Sequence, residues 1–200
     1  EEKSISEKVI LDSQKSYSNR FHSSGGNEAY SVMANTLRSI YGTDVLIATG
    51  NSFTGNVLKA GYTKKMAGSM IMPNSLSAYT SKMSGAELKE MVRNFVEGYE
   101  GGFIPFNRGS LPVFSGISVE VKETDDGYTL SKITKDGKKV QDNDTFTVIC
   151  LAIPKHMKAY PADENIVFDE EDTAVEDAWT GAVSDGNAVL AEPEDYMTLR

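Results

Sequence analysis

The stretch from Ser84 to Val96 constrains the fold of this chain more than any other. Ser84, followed three residues later by Glu87, has the form of a capping box. In that motif the serine hydroxyl accepts a backbone N–H and the glutamate reaches back to the serine N–H. Behind it Leu88, Met91, Val92, Phe95 and Val96 recur at i, i+3, i+4, i+7 and i+8, which puts them on one face of a helix. The helix is expected to stop near Gly98, Gly101 and Gly102. Such a helix must bury its apolar face against something, and the flanking sequence supplies strands.

Ile117, Val119 and Val121 alternate with Ser118, Glu120 and Lys122, the pattern of a half-buried strand. Asp125-Asp126-Gly127 turns the chain into a second strand at about Tyr128 to Ile133, and Lys135-Asp136-Gly137 turns it again, so a hairpin series is expected. Thr145 to Ala152 is largely apolar and reads as a central strand. Upstream, Tyr30, Met33, Leu37 and Ile40 keep helical spacing. Asn27 is the candidate N-cap of that helix, and Gly42 suits the left-handed position after its end. Val45-Leu46-Ile47-Ala48 then reads as a short buried strand, and residues 76–83 as another.

Lys8 to Tyr17 fits a strand or a short helix, and Ser23-Ser24-Gly25-Gly26 reads as a joint. Residues 1–26 are therefore expected to be a leading segment or linker, with one domain over 27–200. Val175, Ala178, Trp179, Ala182 and Val183 form a last helical stripe, with Asp172 as candidate cap and Gly186 as candidate stop. Helices interspersed with strands, and hairpins in the second half, predict an α+β fold. It is a mixed sheet with packed helices rather than a doubly wound parallel sheet.

Composition narrows the function classes. The chain has 200 residues, enough for one domain with a sizeable core. Its net charge of −9 argues against sequence-independent binding to nucleic acid, which needs clustered cations. A single cysteine, Cys150, excludes an internal disulfide framework and a cysteine zinc site. Cys150 lies in an apolar strand pattern and reads as a structural thiol. His22 and His156 are far apart and lack ligand spacing. No apolar run approaches the roughly 18 residues of a membrane-spanning helix.

Three local patterns suggest chemistry. Gly50 and Gly55 have the Gly-x4-Gly spacing of a phosphate loop, but Asn56-Val57 stand where Lys and Ser/Thr are needed. A plain turn after a strand explains them. Asp169-Glu170-Glu171-Asp172 lacks the alternating oxygen ligands and central glycine of a calcium loop. Carboxylates gathered at a helix N-terminus explain that run. Phe103, Phe106 and Phe114 surround Gly109-Ser110-Leu111-Pro112, an aromatic loop that could stack a base or plug the core.

Five stretches, in order, carry a resemblance. They are Met33-Ala34-Asn35-Thr36-Leu37-Arg38, Thr43-Asp44-Val45, Ser84-Gly85-Ala86-Glu87-Leu88-Lys89, Leu111 to Ile117, and Asp136-Gly137-Lys138-Lys139-Val140 through Thr145-Phe146-Thr147-Val148. Their order and spacing resemble the C-terminal domain of the 5′-nucleotidase / UDP-sugar hydrolase / 2′,3′-cyclic-nucleotide phosphodiesterase family, from about residue 27 to 160.

The resemblance implies a two-domain hydrolase of nucleotide catabolism. An N-terminal metallophosphatase domain holds two divalent metals, and a C-terminal domain recognises the nucleotide or a related phosphoester. None of the family's metal motifs occurs here, so this chain is expected to hold no cofactor and to be inactive by itself. By family place, Thr49, Gly50, Asn51, Thr54, Asn74, Ile153 and Tyr160 are the expected substrate-binding positions. The family's Asn-Gly-Gly-Gly-Ile-Arg is replaced by Thr49-Gly50-Asn51-Ser52-Phe53-Thr54, which loses the arginine. Its Pro-Phe-Gly-Asn is replaced by Pro73-Asn74-Ser75-Leu76, which loses a stacking aromatic. Stretch 151–160 lacks the second stacking phenylalanine and the ribose-binding aspartate. The resemblance also implies an extracellular or cell-surface location. The alternative expectation is a degenerate, non-catalytic structural or interaction module of a bacterial surface protein.

Overall fold

The computed structural model describes residues 9–11, 26–49, 52–53, 62–63, 69, 71, 76–97, 112–125, 127–152, 166–184 and 194–200. In chain order the elements are β1 (Val9–Leu11), α1 (Glu28–Tyr41), β2 (Val45–Thr49), β3 (Tyr62–Thr63), β4 (Ser77–Ser84) and α2 (Gly85–Glu97). Then follow β5 (Pro112–Ser115), β6 (Ser118–Thr124), β7 (Gly127–Lys135), β8 (Lys138–Lys139), β9 (Thr145–Ala152), β10 (Asp169–Glu170), α3 (Val175–Ser184) and β11 (Met197–Leu199).

The expected local signals form. Asn27 Oδ1 accepts the Tyr30 N–H at 3.0 Å, and Gly42 closes α1 in the left-handed region at φ 64°. At the head of α2 the Glu87 N–H donates to Ser84 Oγ at 3.2 Å, while Glu87 Oε2 accepts the Ser84 N–H at 2.6 Å. The capping box is thus complete. Asp136 and Gly137 both adopt positive φ, as a tight hairpin between β7 and β8 requires.

Five strands form the main sheet in the order β10-β4-β9-β2-β5. β9 is its central strand and runs parallel to β2, while the other pairs are antiparallel. A second sheet has the order β11-β6-β7-β8, with β11 parallel to β6. β1 pairs with β3. The fold is α+β with mixed sheets and packed helices, as the sequence predicts.

Register fixes the two faces of the main sheet. Leu46, Ile149, Thr80 and Ser115 share one face, and Ile47, Cys150, Tyr79 and Phe114 the other. α1 covers the first face. There Ser115 Oγ accepts from Arg38 Nε at 2.8 Å and donates to Asn35 Oδ1. Asn35 and Ser115 are both buried, so this polar pair is satisfied inside the core. α2 touches β4 and β9 of the main sheet and β7 of the second, and its apolar stripe Leu88, Met91, Val92 and Val96 is buried. Trp179 is fully buried, and Cys150 lies in the middle of the sheet.

Four readings are revised or resolved. Phe114 belongs to β5, whose pairing with β2 buries it fully, so of the two alternatives it fills the core rather than stacking a base. Phe103 and Phe106 lie outside the described residues. Asp172 is not the cap of α3: the Ala178 N–H donates to the Ala174 carbonyl, which places the first helical bond two residues later. The acidic run is not a helix N-terminus either. Asp169 and Glu170 form β10 on the edge of the main sheet, and Glu176 and Asp177 are the acids in the first turn of α3. The stretch Lys8–Tyr17 contains a strand, Val9–Leu11.

Candidate functional site

The parallel pairing of β2 and β9 sets the geometry of the site. Ile47 lies opposite Cys150, so the C-terminal ends of both strands reach the same edge of the sheet. Ser77, the first residue of β4, lies opposite Ala152, the last of β9. Pro112, the first of β5, lies opposite Thr49, the last of β2. Two strands therefore end and two begin at one edge. Chain reversals cluster at such an edge, and ligands of α/β sheets bind outside the carboxyl ends of parallel strands.

The described residues at this edge carry hydroxyls and apolar groups. Thr49 Oγ1 lies 3.4 Å from Ser52 Oγ, and Ser52 is buried. Phe53 is buried next to it, with its ring centroid 5.3 Å from that of Tyr30 at an interplanar angle of 39°. Phe53 also makes an antiparallel backbone bridge to Ile71, which is fully buried. Leu76 and Ser77 lead into β4. None of these side chains is ionisable apart from the Tyr30 phenol, whose pKa burial raises.

The N-terminus of α1 reaches the same edge through Tyr30. A free helix N-terminus attracts anions, but here two of its N–H groups are already partnered. Its Asn27 cap is buried, takes the Tyr30 N–H, and donates its own N–H to the Tyr196 hydroxyl at 3.2 Å.

Of the expected binding positions, Thr49 stands at this edge. Gly50, Asn51, Thr54, Asn74, Ile153 and Tyr160 lie outside the described residues. In sequence, Gly50 and Asn51 directly follow the end of β2, Ile153 directly follows the end of β9, and Asn74 comes three residues before β4. Tyr30, Ser52 and Ile71 were not singled out from sequence. The helical spacing of Tyr30 marks only a buried face, and nothing local reports the bridge from Phe53 to Ile71.

A groove of about 580 Å³ lies at the opposite edge, between the end of α1 and β4, β9 and β10. Its lining includes Tyr41, Lys82, Glu87, Asp169 and Glu171. Two of its carboxylates already serve the fold. Glu87 completes the cap of α2, and Glu171 Oε1 accepts the Thr80 hydroxyl at 2.7 Å. Burial and the Glu171 carboxylate push the Tyr41 phenol up to about 12. Thr49, the expected binding position among the described residues, does not line it.

Among the described residues no group of three or more His, Cys, Asp or Glu side chains could hold a metal ion. His22 and His156 lie outside them. Among the described residues, no helix is long and apolar enough to cross a membrane.

Comparison with known proteins is consistent with this geometry. Residues 8–153 match the family model described as the 5′-nucleotidase C-terminal domain. No curated protein sequence matches the chain. Its fold recurs in solved structures, among them the following three. A 5′-nucleotidase precursor from Thermus thermophilus is 10% identical, with a TM-score of 0.72 over 96% of this chain and 39% of that one. A Staphylococcus aureus protein described as a 5′-nucleotidase is 15% identical, with a TM-score of 0.71 over 98% of this chain and 41% of that one. The NAD nucleotidase of Haemophilus influenzae is 15% identical, with a TM-score of 0.67 over 90% of this chain and 36% of that one. The chain thus spans about two fifths of the length of these neighbours.

Proposed function

Because the chain belongs to the family of 5′-nucleotidase C-terminal domains, we propose that it is the substrate-recognition part of a nucleotide phosphoesterase and takes the nucleoside portion of its ligand. The supporting observation is the single edge where β2 and β9 end and β4 and β5 begin. Of the positions expected from the family, Thr49 sits on one of those strand ends, and in sequence Gly50, Asn51 and Ile153 directly follow two of them.

The chemistry of that edge favours a neutral, hydrogen-bonding group over a phosphate. Thr49, Ser52 and Ser77 supply hydroxyls, and no described side chain there carries a positive charge. At the N-terminus of α1 the Asn27 and Tyr30 N–H groups are already taken. The arginine of the family motif is replaced by Thr54, so a charge-assisted contact to phosphate is lost.

Hydrolysis belongs, in this reading, to a metallophosphatase domain that accompanies this one. Two divalent metals bound there would supply water activation and charge stabilisation of the leaving oxygen. The described residues do not fit a metal donor set, so no step through a metal is assigned to them. An extracellular or cell-surface location belongs to the same proposal and rests on the family resemblance.

Calorimetric titration of the 200-residue chain with adenosine, AMP and UDP-glucose tests the reading. Adenosine should bind with a dissociation constant below about 1 mM, and AMP no more tightly than adenosine. AMP binding much tighter than adenosine would place a phosphate site here and overturn the nucleoside preference. No binding by any of the three would reject a nucleoside site in this chain. It would favour the structural or interaction module instead.

A further inference from the structure

We infer that Phe53 is a positioning residue that couples the loop after β2 to the segment before β4, so that two flanks of the candidate site move as one body. This extends the site proposed above and rests on it for its functional meaning, though not for its test.

Three contacts converge on this buried residue and its neighbours. Phe53 is 4% exposed although it lies four residues beyond the end of β2. Its backbone pairs with Ile71, which is fully buried and lies six residues ahead of β4. Its ring packs in a tilted contact on Tyr30, in the first turns of α1. Ser52, one residue before it, is also buried and meets Thr49 at the strand end.

An isolated bridge has few neighbouring hydrogen bonds to share its cost of ordering. Its persistence then depends on side-chain burial nearby. Here that burial comes from Phe53, seated on a helix that the core already fixes. Tyr30 is held by the Asn27 cap, and that cap is held by Tyr196. The Phe53 side chain therefore anchors both segments to the rigid part of the domain. It is not available as a free face for a base. Loss of the ring should release the Ile71 segment as well as its own, while leaving distant elements intact.

Amide hydrogen exchange on the whole chain and its Phe53→Ala variant reads this directly. Peptides covering Phe53 and Ile71 should both exchange faster by about tenfold or more, while peptides covering Leu88–Val96 of α2 stay as protected as before. Phe53→Leu, which keeps most of the buried volume, should restore much of the protection in both segments. Faster exchange near Phe53 with none at Ile71 would overturn the coupling. So would equal acceleration throughout the chain, which marks a purely structural residue. If Phe53→Ala does not fold, Tyr30→Leu removes the ring beneath Phe53 and must give the same paired pattern. Adenosine titration of the wild type is read separately. Coupled exchange without binding rejects the site and keeps the anchor; binding without coupled exchange does the reverse.

Discussion

Asp44 and Thr147 hold each other by four hydrogen bonds at the head of the parallel pair β2 and β9. Asp44 Oδ2 accepts the Thr147 N–H at 2.8 Å and the Thr147 hydroxyl at 2.8 Å. In return the Asp44 N–H donates to the Thr147 carbonyl at 2.9 Å and lies 3.1 Å from its hydroxyl oxygen. Parallel strands cannot be joined by a tight hairpin, and this clasp fixes their register at the end opposite the candidate site.

The clasp makes acid stability depend on Asp44. The Thr147 N–H holds its carboxyl pKa below the ordinary value of 3.8, aided by the Thr147 hydroxyl and by Lys135 and Arg38 nearby, against the opposing effect of burial. The folded state binds this proton less readily than the unfolded chain. Its stabilisation is therefore complete above the unfolded pKa and is lost as pH falls through the lowered folded value. Asp44→Ala should cost about 1–3 kcal/mol at neutral pH and flatten the acid limb of the stability curve. Urea unfolding at a series of pH values, in wild type and variant, checks both effects. An unchanged acid limb in Asp44→Ala would assign that limb to other carboxylates.

Two glycines should respond to alanine with opposite sign. A Cβ on Gly116 would sit 2.1 Å from the Asp44 carbonyl oxygen, and the residue has φ 79°. Gly116→Ala must shift backbone next to the clasp and should cost about 1–3 kcal/mol. Gly181, within α3, has nothing within 4 Å of an added Cβ. Gly181→Ala should gain about 0.5–1 kcal/mol from helix propensity. Thermal unfolding of the two variants side by side decides this.

The capping box should show an exchange of effects between its partners. Ser84→Ala removes the acceptor for the Glu87 N–H and should cost about 1 kcal/mol. Ser84→Thr, which retains the hydroxyl, should recover part of it. The Ser84 hydroxyl also donates to the Glu87 carboxylate at 2.7 Å, a bond that either substitution removes, so Glu87→Ala added to Ser84→Ala should be less than additive. Denaturant titration of the double-mutant cycle measures the coupling.

The last residues of the chain should contribute to stability well beyond their number. Tyr196 and Met197 are nearly fully buried, β11 pairs with β6, and the Ser31 hydroxyl exchanges bonds with the Glu194 backbone. Tyr196→Ala should cost about 3–5 kcal/mol through the cavity it leaves. Tyr196→Phe, which only removes the acceptor for the Asn27 N–H, should cost about 1 kcal/mol. Equal losses would show that the hydroxyl, not the ring, holds the tail.

Cys150 should be inert in the native protein. It is fully buried in β9, and burial pushes its thiol pKa far above the ordinary value. Thiolate is the reactive form, so iodoacetamide at mildly alkaline pH should leave native Cys150 unmodified and alkylate it fully in denaturant. Mass spectrometry reads the difference, and rapid labelling of the native chain would contradict the burial of β9.

The elements that the sequence alone determined are those set by contacts within a few residues. The spacing of Leu88, Met91, Val92 and Val96, the Ser84 and Glu87 cap, the Asn27 cap and the Gly42 stop act within one or two helical turns, and all appear as read. The apolar run from Thr145 to Ala152 is the central strand because only a strand covered on both faces tolerates such continuity. The same local logic misplaces Asp172 as a cap, whereas the first helical bond of α3 goes to the Ala174 carbonyl. It leaves Phe114 open between stacking a base and plugging the core, and pairing of β5 with β2 decides for the core. The order of five motifs gave the family. Only the tertiary structure decided that β9 runs parallel to β2, and with it that four strands end or begin at one edge. It alone decided that Phe53 meets Ile71 and Tyr30. Pairings between residues distant in the chain leave no periodic trace in the sequence. Their free energy comes from burial shared across the whole core, and it exists only once the fold is complete.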